Sequence, residues 1–488
     1  MSLRRIVTGT ALVSSASLTR LLAQFIAVPI LSRLLTSTDY GLVAIASPLI
    51  LFSMLITDAG LGMSLVRSTP LKDETAWSTS FWVIFSLGGA IVPILVLLSP
   101  LVAYTFGEPK LKLIVTTLSL IIAAQAAAVI PGAALQQARQ FSTIAAIEIS
   151  STVLGVATAV TAAFMGAGVW ALVAQQITFF FTRLLVTFVC SPFRPRLVFD
   201  LAAIKHHLVF GRDVLSTNLI AQLSGSVDNL ALGGVLGPTS VGFYTIAMQF
   251  IRLPTMVITG PMQYVLYSHL ATVKENLPAI RRTFLLATRV LSVLVVPSMS
   301  LVAAAHHSIF KILLSEKWAQ SGTIFMILAA AGAIQAMMAL GGDIMLVLGR
   351  PDLRLRMTIE FSLIWLGALL LSLLLSHDIH WVAGAYTFAV LLYVPRTLSL
   401  VLSLLQCRFA TYLETLVVPA LITPIAILVY SEVNRTFALQ KFADVGLCAL
   451  LAFATMVVCV LVQRRSFIDE SALLSLPFGS TPAVQKQS

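Results

Sequence analysis

Charge is scarce in this sequence. Only 10% of its 488 residues are Asp, Glu, Lys or Arg, whereas 58% are hydrophobic, and the mean hydropathy is +0.96. A water-soluble chain of this length needs far more charge to cover its surface. The composition therefore excludes an ordinary soluble protein and predicts that lipid is the main solvent.

Cysteine and the common catalytic motifs are scarce as well. The four cysteines sit singly in apolar stretches without CxxC spacing, which indicates neither a disulfide framework nor a zinc site. No GxxxxGK[ST] phosphate loop occurs, and no Ser/His/Asp or Cys/His arrangement indicates a nucleophilic enzyme. His377 and His380 share a short turn with no further metal ligand nearby in sequence. We therefore predict a protein that is not an enzyme and uses no cofactor or metal.

Long apolar runs are what the sequence has in abundance. A helix needs about 20 mostly apolar residues to cross about 30 Å of hydrocarbon. This criterion predicts fourteen spans, at about 8–35, 41–66, 78–106, 113–136, 144–164, 168–190, 213–235, 241–268, 284–306, 323–347, 357–376, 381–406, 413–431 and 445–463. The predicted fold class is an all-α membrane protein with about 14 transmembrane helices. The first run continues through Leu21 to Leu35 without a polar break, so we interpret it as an uncleaved span.

The basic residues indicate how the spans are oriented. If the N-terminus is inside, the cytoplasmic connections hold nineteen Lys and Arg residues and the external ones hold six. This bias predicts that both termini are cytoplasmic. It also accounts for the net charge of +11. No basic stripe follows a surface, so nucleic acid is not an expected partner.

The sequence also repeats itself. Residues 30–46 align with residues 231–247 at a constant offset of 201, with six identities in seventeen positions. A weaker echo links residues 139–148 with residues 350–360. Two six-helix halves that begin on the same side of the membrane would be related by an axis along the membrane normal.

The repeat predicts a division of the chain into five parts. These are an N-terminal six-helix half (1–190), a cytoplasmic linker with an amphipathic segment (191–212), a C-terminal six-helix half (213–406), two additional transmembrane helices (407–463) and a cytoplasmic tail (464–488).

Two arginines lie near the middle of predicted spans. Arg20 has Gln24 four residues later, and Arg252 has Gln249 three residues earlier, so each pair shares a helix face. Charges retained inside a bilayer usually face a cavity. Arginine suits a diphosphate because it stays charged when desolvated and donates two hydrogen bonds at once. We predict a substrate-binding role, with structural pairing to an acid such as Asp228 as the alternative.

Acidic residues inside spans are candidates for coupling to an ion gradient. Asp58 in the second span and Asp228 in the seventh are the predicted coupling residues, because a buried carboxylate changes protonation or binds sodium usefully. The acids nearer span ends, Glu148, Asp343, Glu360 and Glu414, are interpreted as solvated or helix-capping. The arginines nearer span ends, Arg33, Arg183, Arg289 and Arg396, are expected to extend toward the interface.

Several stretches resemble the polysaccharide-transport (Wzx-type repeat-unit flippase) family of the multidrug/oligosaccharidyl-lipid/polysaccharide exporter superfamily. They are LTRLLAQFIAVPILSRLLTSTDYGLVAIA, DAGLGMSLVR, QQARQFSTIAAIEI, SVDNLALGGVLGPTSVGFYTIAMQFIRLP and LGRPDLRLR, and the similarity covers nearly the whole chain. The resemblance implies a bacterial inner-membrane carrier of undecaprenyl-diphosphate-linked oligosaccharide repeat units for exopolysaccharide, capsule or O-antigen assembly. It implies functional arginines in the first and eighth spans, where Arg20 and Arg252 lie. Expected partners are membrane lipid and a polysaccharide polymerase or export machinery.

Two other functions stay open at this point. A multidrug or small-molecule exporter of the same superfamily would share the architecture, although central arginines argue against organic cations as cargo. A saccharide polymerase or ligase would need positioned groups on a substantial external loop. The longest external connection, at about 307–322, leaves little room for them.

Overall fold

The structure is a computed structural model of the chain. It describes residues 26–58, 60–71, 73–263, 276–437 and 441–464, together with the single positions 23, 266, 270 and 273. The predicted residues Arg20 and Gln24 lie outside this described part.

The described part of the chain is built from helices and contains no strand. The helices are α1 (26–34), α2 (Ser37–Asp58), α3 (Leu61–Ser68), α4 (Glu74–Thr105), α5 (Lys110–Gln137), α6 (Phe141–Phe164), α7 (Val169–Cys190), α8 (Leu201–Pro254), a π-helix (Thr255–Thr259), α9 (Leu277–Ala304), α10 (His306–Leu313), a 3₁₀ turn (Glu316–Trp318), α11 (Ala319–Val347), α12 (Pro351–Leu375), α13 (Ile379–Leu404), α14 (Phe409–Phe437) and α15 (Lys441–Val462). The predicted all-α fold class is confirmed.

Twelve helical stretches in the described residues are long and apolar enough to cross a membrane. The prediction of fourteen differs for two reasons. The predicted first span, 8–35, lies mostly outside the described residues. The predicted seventh and eighth spans form one long helix, α8, which bends at Gly237 (φ 77°, ψ 171°). Glycine adopts this backbone conformation without a steric penalty, so a single residue replaces the expected loop.

Short polar side chains fix where several helices begin. The Asp73 carboxylate accepts a hydrogen bond from the backbone N–H of Ala76 at the start of α4, at 3.1 Å. The side chain of Asn276 does the same for Ala279 at the start of α9, also at 3.1 Å. Each cap satisfies one of the N–H groups that a helix start leaves without a partner.

The chain divides into two compact units. The first comprises Met1–Thr245 with Leu313–Trp318, and the second comprises Ile246–Ile312 with Ala319–Ser488. The predicted six-helix halves are a different partition, and they stay a prediction.

The first unit has a core in which α3, α4 and α5 meet the segment after α7. Leu65, Trp77 and Ile130 are buried there, and Phe193 and Ile204 join them from the predicted linker. The core therefore anchors both ends of the segment that crosses from α7 to α8.

The predicted linker is extended from Ser191 to Asp200 and becomes helical at Leu201. Leu197 and Phe199 are 91% and 61% exposed, whereas His207 is buried. The two ring nitrogens of His207 lie 2.7 Å from the Ser64 hydroxyl and 2.9 Å from the Thr69 hydroxyl. The imidazole thus holds the start of α8 against the end of α3.

Burial lowers the pKa of the His207 imidazole from its ordinary value. The neighbouring His206 acts in the same direction, and Asp73 opposes the change. The contact between α3 and α8 therefore favours the neutral ring.

Candidate functional site

Arg252 and Gln249 lie on the last turns of α8, and both are exposed. Residues three apart share a helix face, so the predicted pair is geometrically possible. The ion pairs formed within the described residues do not include Arg252. Pro254 follows, and the chain then widens into the π-helix. Wide turns of this kind often accompany functional sites in helices.

Asp58 is the last residue of α2 and lies where the predicted second span is interrupted. Gly60 then adopts a left-handed conformation (φ 66°), and α3 begins at the next residue. The Arg183 guanidinium on α7 is close enough to act electrostatically on the Asp58 carboxylate. The same guanidinium lies 3.2 Å from the Glu148 carboxylate on α6. Two carboxylates therefore share one cation, which the expectation of an interfacial Arg183 missed.

Asp228 is buried, with 8% of its surface exposed. Its carboxylate accepts a hydrogen bond from the backbone N–H of Asn229 at 2.9 Å. A buried acid on a membrane helix fits the predicted coupling role, which stays a prediction.

The two repeated segments meet in the structure. We call the contact between residues 37–41 and residues 238–242 the reciprocal crossing. The hydroxyl groups of Thr38 and Thr239 share a hydrogen bond of 2.9 Å, and these threonines are 201 residues apart. The offset that relates the two segments in sequence therefore also relates the two partners in space.

Glycine is required on both sides of the reciprocal crossing. A Cβ atom on Gly41 would overlap the backbone carbonyl of Pro238, and one on Gly242 would overlap that of Ser37. Each contact is the other shifted by 201 residues in both partners. The backbones approach so closely that any side chain larger than hydrogen would force them apart.

Trp318 covers the reciprocal crossing from the 3₁₀ turn. Its side chain is fully buried, and its indole N–H donates a hydrogen bond to the Ser32 carbonyl at 2.7 Å. The rings of Tyr40 and Phe243 pack edge-on against it, with centroids at 5.3 Å and 5.8 Å. The adjacent Lys317 ammonium binds backbone carbonyls at the end of α1. These contacts close this end of the first unit.

Asp343 was expected to be solvated or capping, and this expectation is wrong. The residue lies on α11 with 8% of its surface exposed. The Gln263 side-chain amide donates hydrogen bonds to the Asp343 carboxylate at 2.7 Å and to the Ala339 carbonyl at 3.1 Å. An Arg354 guanidinium nitrogen is 3.9 Å from the other carboxylate oxygen. Sequence position gave the depth along the span but not the face on which Asp343 lies.

Glu360 forms a polar cluster in the second unit. Its carboxylate accepts hydrogen bonds from Arg356 at 2.7 Å and from the Tyr393 hydroxyl at 2.9 Å, and Arg396 lies 3.5 Å away. Glu148 and Glu360 end the two segments of the weaker sequence echo, and each pairs with an arginine on the following helix. The echo therefore has a structural counterpart.

A family model described as a polysaccharide biosynthesis protein matches residues 30–323. The teichuronic acid biosynthesis protein TuaB of Bacillus subtilis (strain 168) is 24% identical over 352 residues, which span 72% of this chain and 73% of TuaB. The succinoglycan biosynthesis transport protein ExoT of Rhizobium meliloti (strain 1021) is 25% identical over 311 residues. That match spans 64% of this chain and 63% of ExoT, which is less than two thirds of ExoT.

The lipid II flippase MurJ, in an inward closed conformation, has a similar fold. The TM-score is 0.75 at 16% sequence identity, and the match covers 94% of this chain and all of the MurJ chain. The fold and the duplicated helices thus define a multi-pass membrane protein of the multidrug/oligosaccharidyl-lipid/polysaccharide exporter superfamily. Within it, the chain belongs to the polysaccharide biosynthesis protein family, the polysaccharide-transport flippases. The resemblance inferred from the sequence is confirmed.

Proposed function

We propose that this protein moves undecaprenyl-diphosphate-linked oligosaccharide repeat units outward across a bacterial inner membrane, for exopolysaccharide, capsule or O-antigen assembly. Family membership supports a role in polysaccharide biosynthesis, and the fold supports a carrier rather than a polymerase or ligase. The observation that carries the proposal is the exposed Arg252 on a membrane helix, with Gln249 on the same face.

The arginines suit the diphosphate because it is the charged, invariant part of a lipid-linked saccharide. A guanidinium binds two phosphate oxygens at once and keeps its charge in a low-dielectric environment. Arg20 and Arg252 would each contribute one such group, and Gln24 and Gln249 would add neutral donors. The saccharide itself would then vary without loss of binding.

The basic residues favour a cytoplasmic location for both termini, which places the reciprocal crossing on the external side. With this side closed, the carrier would receive its lipid from the cytoplasmic leaflet. Transport then requires the crossing to open and the opposite end to close. A polymerase or export machinery outside would take up the delivered units.

Coupling to an ion gradient would return the carrier to its starting state. Asp58 and Asp228 are the proposed coupling residues. The single Arg183 cation shared by Asp58 and Glu148 supports a role for Asp58, because two carboxylates near one cation favour uptake of a proton.

The test replaces Arg252 by Ala in cells that depend on this protein for surface polysaccharide. Loss of a charge-assisted contact to phosphate is expected to reduce export roughly ten- to hundredfold, with lipid-linked saccharide accumulating on the cytoplasmic face. Arg252→Lys keeps the charge but not the paired hydrogen bonds, so it should retain part of the activity.

Arg435→Ala is the matched control, because this arginine also lies on a membrane helix but is 81% exposed near its end. It should leave export unchanged. Full export by Arg252→Ala at normal protein levels would contradict the proposal. Loss of drug resistance without any change in polysaccharide would point instead to a small-molecule exporter.

A further inference from the structure

One face of α11 is tied to the stretch that follows α8. Ala336, Ala339 and Asp343 lie three and four residues apart and therefore share a helix face. The Thr259 hydroxyl in the π-helix donates a hydrogen bond to the Ala336 carbonyl at 3.2 Å. Gln263 donates to the Ala339 carbonyl and to the Asp343 carboxylate. The π-helix is thus fastened to α11 through a short polar ladder.

The charge on Asp343 is poorly compensated. Its close partner is the neutral Gln263 amide, and its cationic partner, Arg354, is 3.9 Å away with a side chain that is 48% exposed. A buried carboxylate inside a membrane protein is costly to keep ionised unless a cation is close. This arrangement favours binding of a proton.

Other groups around Asp343 do not change this balance. Helices α9 and α13 also pack against α11. Within the part of the chain that the structure describes, neither helix gives Asp343 an ion pair or a hydrogen bond. Arg354 on α12 is the charged group that faces the carboxylate, and Gln263 is its hydrogen-bond donor.

We propose that Asp343 is a proton-binding site that controls how firmly the π-helix is held against α11. Protonation converts the carboxylate into a neutral carboxyl group. The hydrogen bond from Gln263 then loses its charge assistance, and Arg354 loses its counter-charge. The π-helix is left with the neutral contacts of the ladder.

The site acts on Arg252 through the chain. Arg252 lies three residues before the π-helix, so a shift of the π-helix moves the end of α8 that carries this arginine. Protonation of Asp343 would thereby change the position of the proposed diphosphate ligand. This consequence rests on the proposed function, whereas proton binding itself does not.

The test measures distance against pH without any saccharide. Spin labels are attached at Met256→Cys in the π-helix and Met326→Cys on α11, two positions that are 45% and 43% exposed. The four native cysteines are replaced by alanine in the full chain. Between pH 8 and pH 5 the distance is expected to change by about 2 Å, the usual size of a helix shift.

Asp343→Asn is the matched variant, because asparagine keeps the size and an acceptor oxygen but does not titrate. The distance should then be independent of pH. Arg354→Gln provides a second measurement and should move the midpoint of the change to higher pH by about one unit. A distance that does not respond to pH in the parent, or an equal response in Asp343→Asn, overturns the proposal.

The same proteins in liposomes with fluorescently labelled undecaprenyl-diphosphate disaccharide separate this idea from the proposed cargo. If the parent moves no labelled lipid but shows the Asp343-dependent distance change, the proton site stands and the cargo is wrong. If transport occurs but the distance never responds to pH, the cargo stands and the proton site is wrong.

Discussion

The two repeats keep one interface but place its acid on opposite helices. In the first, Asp58 and Gly62 lie on the second span, and Gly62 faces Val129 and Ala133 of α5. In the second, the position 201 residues after Gly62 is Gln263, and it faces α11.

The acids differ between the two interfaces. The position 201 residues after Asp58 is Thr259, a neutral residue, and α11 supplies Asp343 instead. Both second helices are interrupted at this level, by Gly60 in one and by the π-helix in the other. Duplication therefore preserved the break in the helix and one acid per interface, but not the helix that carries the acid.

The reciprocal crossing shows the opposite behaviour, since both repeats contribute the same residue type to the same contact. Replacing Gly41 or Gly242 by Ala is expected to have the largest effect, because each new methyl group overlaps a backbone carbonyl. Overpacking of this kind costs about 1–3 kcal/mol, so the closed population should fall roughly ten- to hundredfold. Disulfide formation between Thr38→Cys and Thr239→Cys, in a chain lacking the native cysteines, measures that population.

Gly384→Ala is the control for the glycine variants, because a Cβ atom at this helical position meets nothing within 4 Å. It should leave disulfide formation unchanged. A severe effect of one crossing variant with no effect of the other would show that the two repeats are not equivalent there.

Asp58→Asn tests whether the relocated acids have equivalent roles. The variant keeps the shape of the side chain but removes its charge, so the proposed coupling in the first repeat is lost. Translocation of lipid-linked saccharide in liposomes should become insensitive to a pH gradient, a loss of about fivefold or more. Thr259→Val, which removes only the hydroxyl at the corresponding position, should keep the response to the gradient. The reverse result would mean that the acid in the first repeat is structural.

His207 supplies the smallest expected effect and lies in a segment that has no equivalent contact in the second unit's described residues. Because its pKa is lowered on folding, the neutral ring contributes fully above the unfolded pKa of about 6.5. That contribution falls as the pH drops below this value, since the unfolded chain then binds the proton more readily. Thermal unfolding of the purified protein between pH 7.5 and pH 5 measures the loss.

His207→Gln should reduce this dependence on pH, because glutamine retains hydrogen bonding but does not titrate in this range. His206→Gln, at the exposed neighbouring position, serves as the control and should preserve most of it. Equal pH dependence in all three proteins would remove His207 from the account.

Sequence reasoning located the membrane helices because hydropathy over 20 residues depends little on packing. It also located the duplicated turn, since Gly41 and Gly242 align at the offset of 201. It did not find that these glycines contact each other's segment, because an internal alignment says nothing about proximity.

The polar sites were less predictable. Arg183 and Asp343 were assigned by their distance from span ends, which ignores the helix face. The π-helix changes the phase of the residues after Pro254, so the face on which Gln263 lies does not follow from a regular period. Arg20 and Gln24 lie outside the described residues, and their site stays a prediction.

The reciprocal crossing also restricts how the two repeats can diverge. Within each segment, the carbonyl and the glycine that take part are four residues apart. Inserting or deleting one residue in either turn would misalign both backbone contacts together. Selection should therefore tolerate new side chains around these turns far more readily than any change in their length.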